Sequence, residues 1–136
     1  MYSGEIKYRM ENEAKILLLL TGGTICSFGD EQGNRRDVDI QKAKALLLQY
    51  FEDSDSPCAH QKFEVVTILN TLSENMTIPK WNELLRFFKK CDFSQYRGIV
   101  ISHGTDTLAY TASLLALALS KVEIPVFLVS SQLPLN

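Results

Sequence analysis

Four short segments hold most of the side chains that could do chemistry. They are Thr21-Gly22-Gly23-Thr24, Ser73-Glu74-Asn75-Met76-Thr77, His103-Gly104-Thr105-Asp106-Thr107 and Ser130-Ser131-Gln132. Together they supply hydroxyls, carboxylates and one imidazole. That set suits a hydroxyl nucleophile with a neighbouring activating group, or a polar site for a small molecule. It does not suit a metal centre, because His60 and His103 are far apart and the carboxylates match no common ligand spacing. Cys26, Cys58 and Cys91 fall outside the four segments and form no CxxC pair, which leaves a site without a thiol. Neither GxGxxG nor GxxxxGK followed by Ser or Thr is present, so no dinucleotide or P-loop fingerprint exists and no cofactor is called for.

Each segment also has a plainer explanation. Gly22-Gly23 could simply let the backbone reverse, with the threonines bonding to it. Alternatively, the glycines admit a ligand close to the backbone and aim Thr24 across the site. Thr105 or Asp106 could be no more than a helix N-cap. Functionally, the dipole of the following helix favours an anion at Asp106, suited to a substrate ammonium or to a neighbouring Lys. His103 fits a brace for its loop better than a base. Ser73 and Glu74 read equally as turn residues or as ligand contacts. Trp81 and the aromatics at helical spacing read as core, and Arg35-Arg36 and Lys89-Lys90 as solvated charges.

The elements that must position these segments follow from periodicity. Ile16–Leu20 is aliphatic on both faces, as a buried parallel strand should be. Ile40, Ala43, Leu47 and Tyr50 form a helical stripe. Phe63–Leu69 reads as a second strand. Thr77 is placed to cap a second helix, with Pro79 in its first turn and Ile78, Trp81, Leu84, Leu85 and Phe88 on its apolar face. Gly98–Ser102 is a third strand, and Leu108–Ser120 a third helix whose Ala/Leu-rich faces predict burial all round. Val126–Ser130 is a fourth strand. The alternation predicts an α/β fold: a parallel sheet with helices on both faces, Rossmann-like and doubly wound. In such sheets ligands bind beyond the carboxyl ends of the strands, where all four segments lie. Between the elements, Thr21–Asp37 is long and glycine-bearing and suits a lid, while Glu52–Gln61 reads as a surface connection.

Composition narrows the class. The chain has 136 residues, 46% hydrophobic and 22% charged, with 14 Lys+Arg against 16 Asp+Glu. That is one domain or part of one, and not a disordered chain. A net charge of −2 with no basic patch argues against nucleic acid. The longest aliphatic run, Ile16–Leu20, is too short to span a membrane, and Met1–Lys15 has no signal-like apolar core. Three cysteines without paired spacing read as reduced thiols, which places the protein in the cytoplasm. The chain stops at Asn136, just after the fourth strand, where a covering helix is expected; this predicts an incomplete domain.

Taken together the four segments resemble the bacterial-type, threonine-nucleophile L-asparaginase family. TGGTI at Thr21–Ile25 is similar to its first signature and HGTDTL at His103–Leu108 to its second. SENMT at Ser73–Thr77, followed by Trp81, is similar to the substrate-binding segment between them, and SSQLPL at Ser130–Leu135 to the end of the fourth strand. The resemblance runs over 15–136, leaves 1–14 as a flexible extension, and implies that a C-terminal domain is absent. It implies hydrolysis of L-asparagine, with weaker action on L-glutamine, to the acid and ammonia through an acyl-enzyme. Thr24 then resembles the nucleophile, Thr105 the second threonine that assists attack, and Asp106 the carboxylate that binds the substrate ammonium within a Thr–Lys–Asp group. Ser73 would hold the substrate α-carboxylate, Glu74 contact the ammonium, and the Ser131 carbonyl receive the amide nitrogen.

Two departures stand against it. No tyrosine lies between Thr24 and Tyr50 to serve the lid, and the only lysine after HGTDT, Lys121, is not where the family lysine lies. The resemblance also implies a dimer or tetramer for the full-length protein, and little or no turnover by this chain alone. Other readings stay open: a non-catalytic amino-acid or anion-binding module, the amidase subunit of a tRNA-dependent amidotransferase, and a structural fragment that dimerises through the third helix.

Overall fold

A strand with no polar face must be covered on both sides. The run Ile16–Leu20 meets that requirement at the centre of the sheet. The computed structural model describes residues 14–23, 26–29, 36–52 and 61–131. Thr24, Arg35, Cys58, His60 and Gln132, and with them most of the expected extension and surface connection, lie outside the described residues. In chain order the elements are β1 (Lys15–Gly22), β2 (Ser27–Gly29), β3 (Arg36–Val38), α1 (Ile40–Glu52), β4 (Phe63–Thr71), α2 (Ile78–Lys90), β5 (Tyr96–Ser102), α3 (Leu108–Ala118) and β6 (Val126–Val129). Single 3₁₀ turns at Ser73–Asn75 and Phe93–Gln95 lead into α2 and β5.

The main sheet has the order β4-β1-β5-β6 and every pairing in it is parallel. Side chains of β1 alternate between two cores. Leu17 and Leu19 join Ile99, Ile101, Leu84, Phe88 and Leu115, beneath α2 and α3. Leu18 and Leu20 join Cys26, Ile40 and Ala43, beneath α1. Helices therefore cover both faces, as the alternation of elements predicts. The chain leaves β1 toward β4 over one face and returns to β5 over the other, the reversal that uniform crossover handedness requires. This places a topological switch point between β1 and β5.

Several local expectations are corrected. In α1 the stripe turns from Ala43 and Leu47 onto Phe51, which stacks on Phe63 at 4.1 Å between ring centroids, while Tyr50 is exposed. Steps averaging 3.6 residues bring position 51, not 50, under the helix. Asp39 caps α1, its Oδ1 accepting from the Lys42 N–H at 3.0 Å. Thr77 sits at the N-cap of α2 with extended backbone, but its side chain makes no capping bond, and Ile78 is 71% exposed. The segment expected as a lid contains an antiparallel ribbon, with Phe28 opposite Asp37. The third helix is not buried all round. Thr111 and Leu115 are buried, whereas Tyr110 and Leu117 face outward, because no described element packs on that side.

Candidate functional site

The carboxyl ends of β1, β4 and β5 meet through glycine. Gly22 and Gly23 both take positive φ, 103° and 78°, a region that disfavours any side chain. A Cβ on Gly22 would overlap Thr71 O, and one on Gly23 would lie 2.5 Å from Gly104 N. The glycines thus admit neighbouring backbone. The Gly23 N–H donates to Thr71 O at 2.9 Å, and Thr21 Oγ1 donates to Ser102 O at 2.7 Å, tying β1 to both flanking strands. Thr21 is therefore a buried tie between strand ends.

Ser73 crosses the top of the sheet to the loop after β5. Its buried hydroxyl donates to Asp106 Oδ2 at 3.0 Å and accepts from the Asp106 N–H at 3.1 Å. Thr107 Oγ1 donates to Ser73 O at 2.9 Å. Thr107, not Thr105 or Asp106, is the N-cap residue of α3, and its hydroxyl serves Ser73 in place of the helix. The Ser73 hydroxyl, expected to meet a ligand carboxylate, is committed to Asp106. This fixes one carboxylate oxygen and leaves Oδ1 with no partner among the described residues. Asp106 itself is exposed and Thr105 half-buried beside it. Glu74 is exposed in the turn next to Ser73, and Ser131 is half-buried just beyond β6. The His103 N–H donates to Val129 O at 2.8 Å, which joins the end of β6 to the same loop.

Three groups at the site were not evident from the sequence. Cys26 is fully buried with Sγ 3.8 Å from Ser102 Oγ, so a thiol does lie under the strand ends. Burial pushes its pKa up, which keeps it a thiol and an inert one. Lys80 is the second. Its ammonium donates to Thr71 Oγ1 at 2.8 Å and to Asn75 O at 2.7 Å. A lysine in the first turn of a helix opposes the dipole, and that mismatch was the available signal. The third is Thr111, described below with His103 and Trp81. Among the described residues no cluster of His, Cys, Asp and Glu could hold a metal ion, and no helix is long and apolar enough to cross a membrane.

His103 is buried with both ring nitrogens engaged, Nδ1 to Gly104 O at 2.8 Å and Nε2 to Thr111 Oγ1 at 2.9 Å. A carbonyl can only accept, so Nδ1 carries the proton, and in the neutral ring Nε2 accepts from the threonine hydroxyl. Burial also lowers the imidazole pKa below its ordinary 6.5, favouring this neutral form.

A serine–carboxylate pair at the switch point, flanked by two threonine-bearing loops, can orient a ligand ammonium and present hydroxyls to its polar end. Comparison with known proteins identifies the family of the chain. Residues 15–136 match the family described as "Asparaginase, N-terminal". The L-asparaginase of Thermococcus kodakarensis is 38% identical over 122 residues, covering 90% of this chain and 35% of that protein. Its solved structure superposes with a TM-score of 0.65 at 37% identity, over 88% of this chain and 34% of its own. L-asparaginase I from Vibrio cholerae gives a TM-score of 0.69 at 28% identity, over 90% and 35%. A subunit of the glutamyl-tRNA(Gln) amidotransferase of Thermoplasma volcanium is 40% identical over 124 residues, 88% of this chain and 28% of that protein. The chain thus spans about a third of the length of these relatives, and across that span it belongs to the asparaginase family, in its N-terminal domain.

Proposed function

We propose that this chain carries the amino-terminal half of a site that hydrolyses L-asparagine to L-aspartate and ammonia. In this reading Thr24 Oγ attacks the side-chain amide carbonyl, ammonia leaves, and water cleaves the resulting ester to free the hydroxyl. Thr105 assists the attack. Asp106 Oδ1 receives the substrate ammonium, with Glu74 beside it, and the Ser131 carbonyl receives the amide nitrogen. Ser73 acts on the substrate through Asp106, and a carboxylate reaching its hydroxyl would have to displace that bond. A cytoplasmic location and a homo-oligomeric full-length protein belong to the same reading. The free thiols of Cys26 and Cys91 are compatible with such a location.

The observation that carries this is the Ser73–Asp106 pair, joined across 33 positions in a chain of the asparaginase family. Ammonia release from L-asparagine, measured with Thr24→Ala alongside, tests it. Release abolished in the variant supports Thr24, release unchanged contradicts it, and no release from the folded chain supports the reading that it holds only part of the site. The amidotransferase relatives supply a second reading, the amidase subunit of a tRNA-dependent amidotransferase. L-glutamine in place of L-asparagine in the same assay separates the two, because preference for glutamine favours the amidotransferase.

A further inference from the structure

Thr111 lies outside all four motif segments, yet it is fully buried and makes two side-chain hydrogen bonds. Its hydroxyl accepts from Trp81 Nε1 at 2.9 Å and faces His103 Nε2 at 2.9 Å. An indole N–H can only donate, and with the neutral imidazole protonated at Nδ1 the threonine proton is directed to His103 Nε2. The imidazole then donates from Nδ1 to Gly104 O. The chain of bonds is continuous from α2 through α3 to the loop that bears Thr105 and Asp106, and each donor has one acceptor.

We infer that Trp81, Thr111 and His103 are positioning residues that set the direction of the Gly104–Thr105 peptide, and with it the ligand-facing side of the site. The peptide is trans. With Gly104 O drawn toward the imidazole, the N–H of Thr105 is aimed the opposite way, out of the His103 pocket. That N–H has no partner among the described residues, as a donor reserved for a ligand would not. Gly104 can be held this closely because it lacks a Cβ, which would overlap Ser73 Oγ and lie 2.5 Å from Ser73 Cβ. The same peptide therefore packs against the Ser73–Asp106 pair on its other side. In neutral His103 the Thr111 hydroxyl donates to Nε2. The imidazolium would instead donate from Nε2 too, so that the Thr111 oxygen accepts from both His103 and Trp81 and its own proton turns away from the ring. The inference rests on the reading of Thr105 and Asp106 as the ligand site.

Trp81 is the chain's single tryptophan, so its indole N–H gives one resolvable signal in a ¹⁵N-labelled sample. The test uses the whole chain, L-aspartate as the probe, and the variants Thr111→Val, Thr111→Ser and Trp81→Phe. Loss of the hydroxyl in Thr111→Val should weaken L-aspartate binding about 10-fold and shift the Thr105 amide, and Thr111→Ser should restore both to within about 2-fold. Trp81→Phe, which leaves the Thr111–His103 bond, should weaken binding about 3-fold. A lower melting temperature in Thr111→Val with L-aspartate affinity and the Thr105 amide unchanged would overturn the inference, because a purely structural role does no more than that. Should Thr111→Val fail to fold, the imidazole ¹⁵N spectrum of the wild-type chain decides. Protonated Nδ1 with unprotonated Nε2 at pH 7 supports the chain of bonds, and the other tautomer or the cation overturns it. If the wild-type chain ignores L-aspartate while the Thr105 amide still responds to Thr111→Val and recovers in Thr111→Ser, the ligand reading fails and the positioning stands.

Discussion

The two ends of the central strands handle polar groups in opposite ways. At the amino ends, Lys15 pairs with Glu64 at 3.0 Å, with both side chains more than a third exposed, and Arg97 donates to Gln61 at 3.0 Å in solvent. At the carboxyl ends, Thr21, Ser73, Ser102, His103 and Thr111 are buried, and no buried side-chain polar atom among the described residues lacks a partner. Exposed pairs gain little over their hydration, whereas buried polar groups must be satisfied or they cost stability. The amino ends can therefore vary in geometry at small cost. The carboxyl ends have one workable arrangement, which is what a site for a small polar ligand requires.

Substitutions should expose this asymmetry in order of size. Gly23→Ala places a Cβ on backbone at positive φ against Gly104, and should destabilise the chain by about 3 kcal/mol or more in denaturant unfolding. Thr111→Val should cost about 1–3 kcal/mol, since it strips partners from a half-buried indole and a buried imidazole. Ser73→Ala removes both the donor to Asp106 Oδ2 and the acceptor for its N–H. About 1–2 kcal/mol should be lost there, and a greater change should appear in ligand affinity than in melting temperature. Lys15→Met at the opposite end should cost no more than about 0.5 kcal/mol, and less in high salt. Equal losses at the two ends would break the comparison.

Acid titration sharpens it further. The folded-state pKa of His103 is depressed by burial, so in the window just below 6.5 the unfolded chain binds a proton that the folded chain refuses. Stability from this group is present above pH 6.5 and is lost as pH falls toward the folded value. The wild-type chain should lose stability through that window more steeply than His103→Gln. At the other end, burial and a hydrogen bond to Glu64 push Tyr96 up to about 12. Its phenolate absorbance should appear well above the ordinary tyrosine range, and Glu64→Gln should lower its midpoint.

The sequence made the architecture legible because hydrophobic period is a strong signal. Ile16–Leu20 could only be a doubly covered strand, and the alternation of strands and helices dictated parallel pairing. The place of the candidate site is legible as well, since the four motif segments lie at strand ends. What stayed hidden were long-range side-chain pairings. Nothing in SENMT indicates that Ser73 turns onto Asp106, and nothing in a helix of Ala, Leu and Thr marks Thr111 as the link between Trp81 and His103. Cys26 is hidden in the sequence because its segment reads as a lid, while the Gly22-Gly23 turn folds it back beneath Ser102. The outer side of α3 misled in the other direction: its Ala/Leu composition predicts burial, and Leu117 is 80% exposed.

The most direct test of the account is a calorimetric titration of the chain with L-aspartate, repeated with Asp106→Asn. The amide can still accept from Ser73 but has no charge to hold an ammonium. Saturable binding by the wild-type chain, lost in Asp106→Asn with the melting temperature retained, is the predicted result. Equal binding by both chains, or none by either, would contradict the assignment of Asp106 as the ligand's ammonium contact.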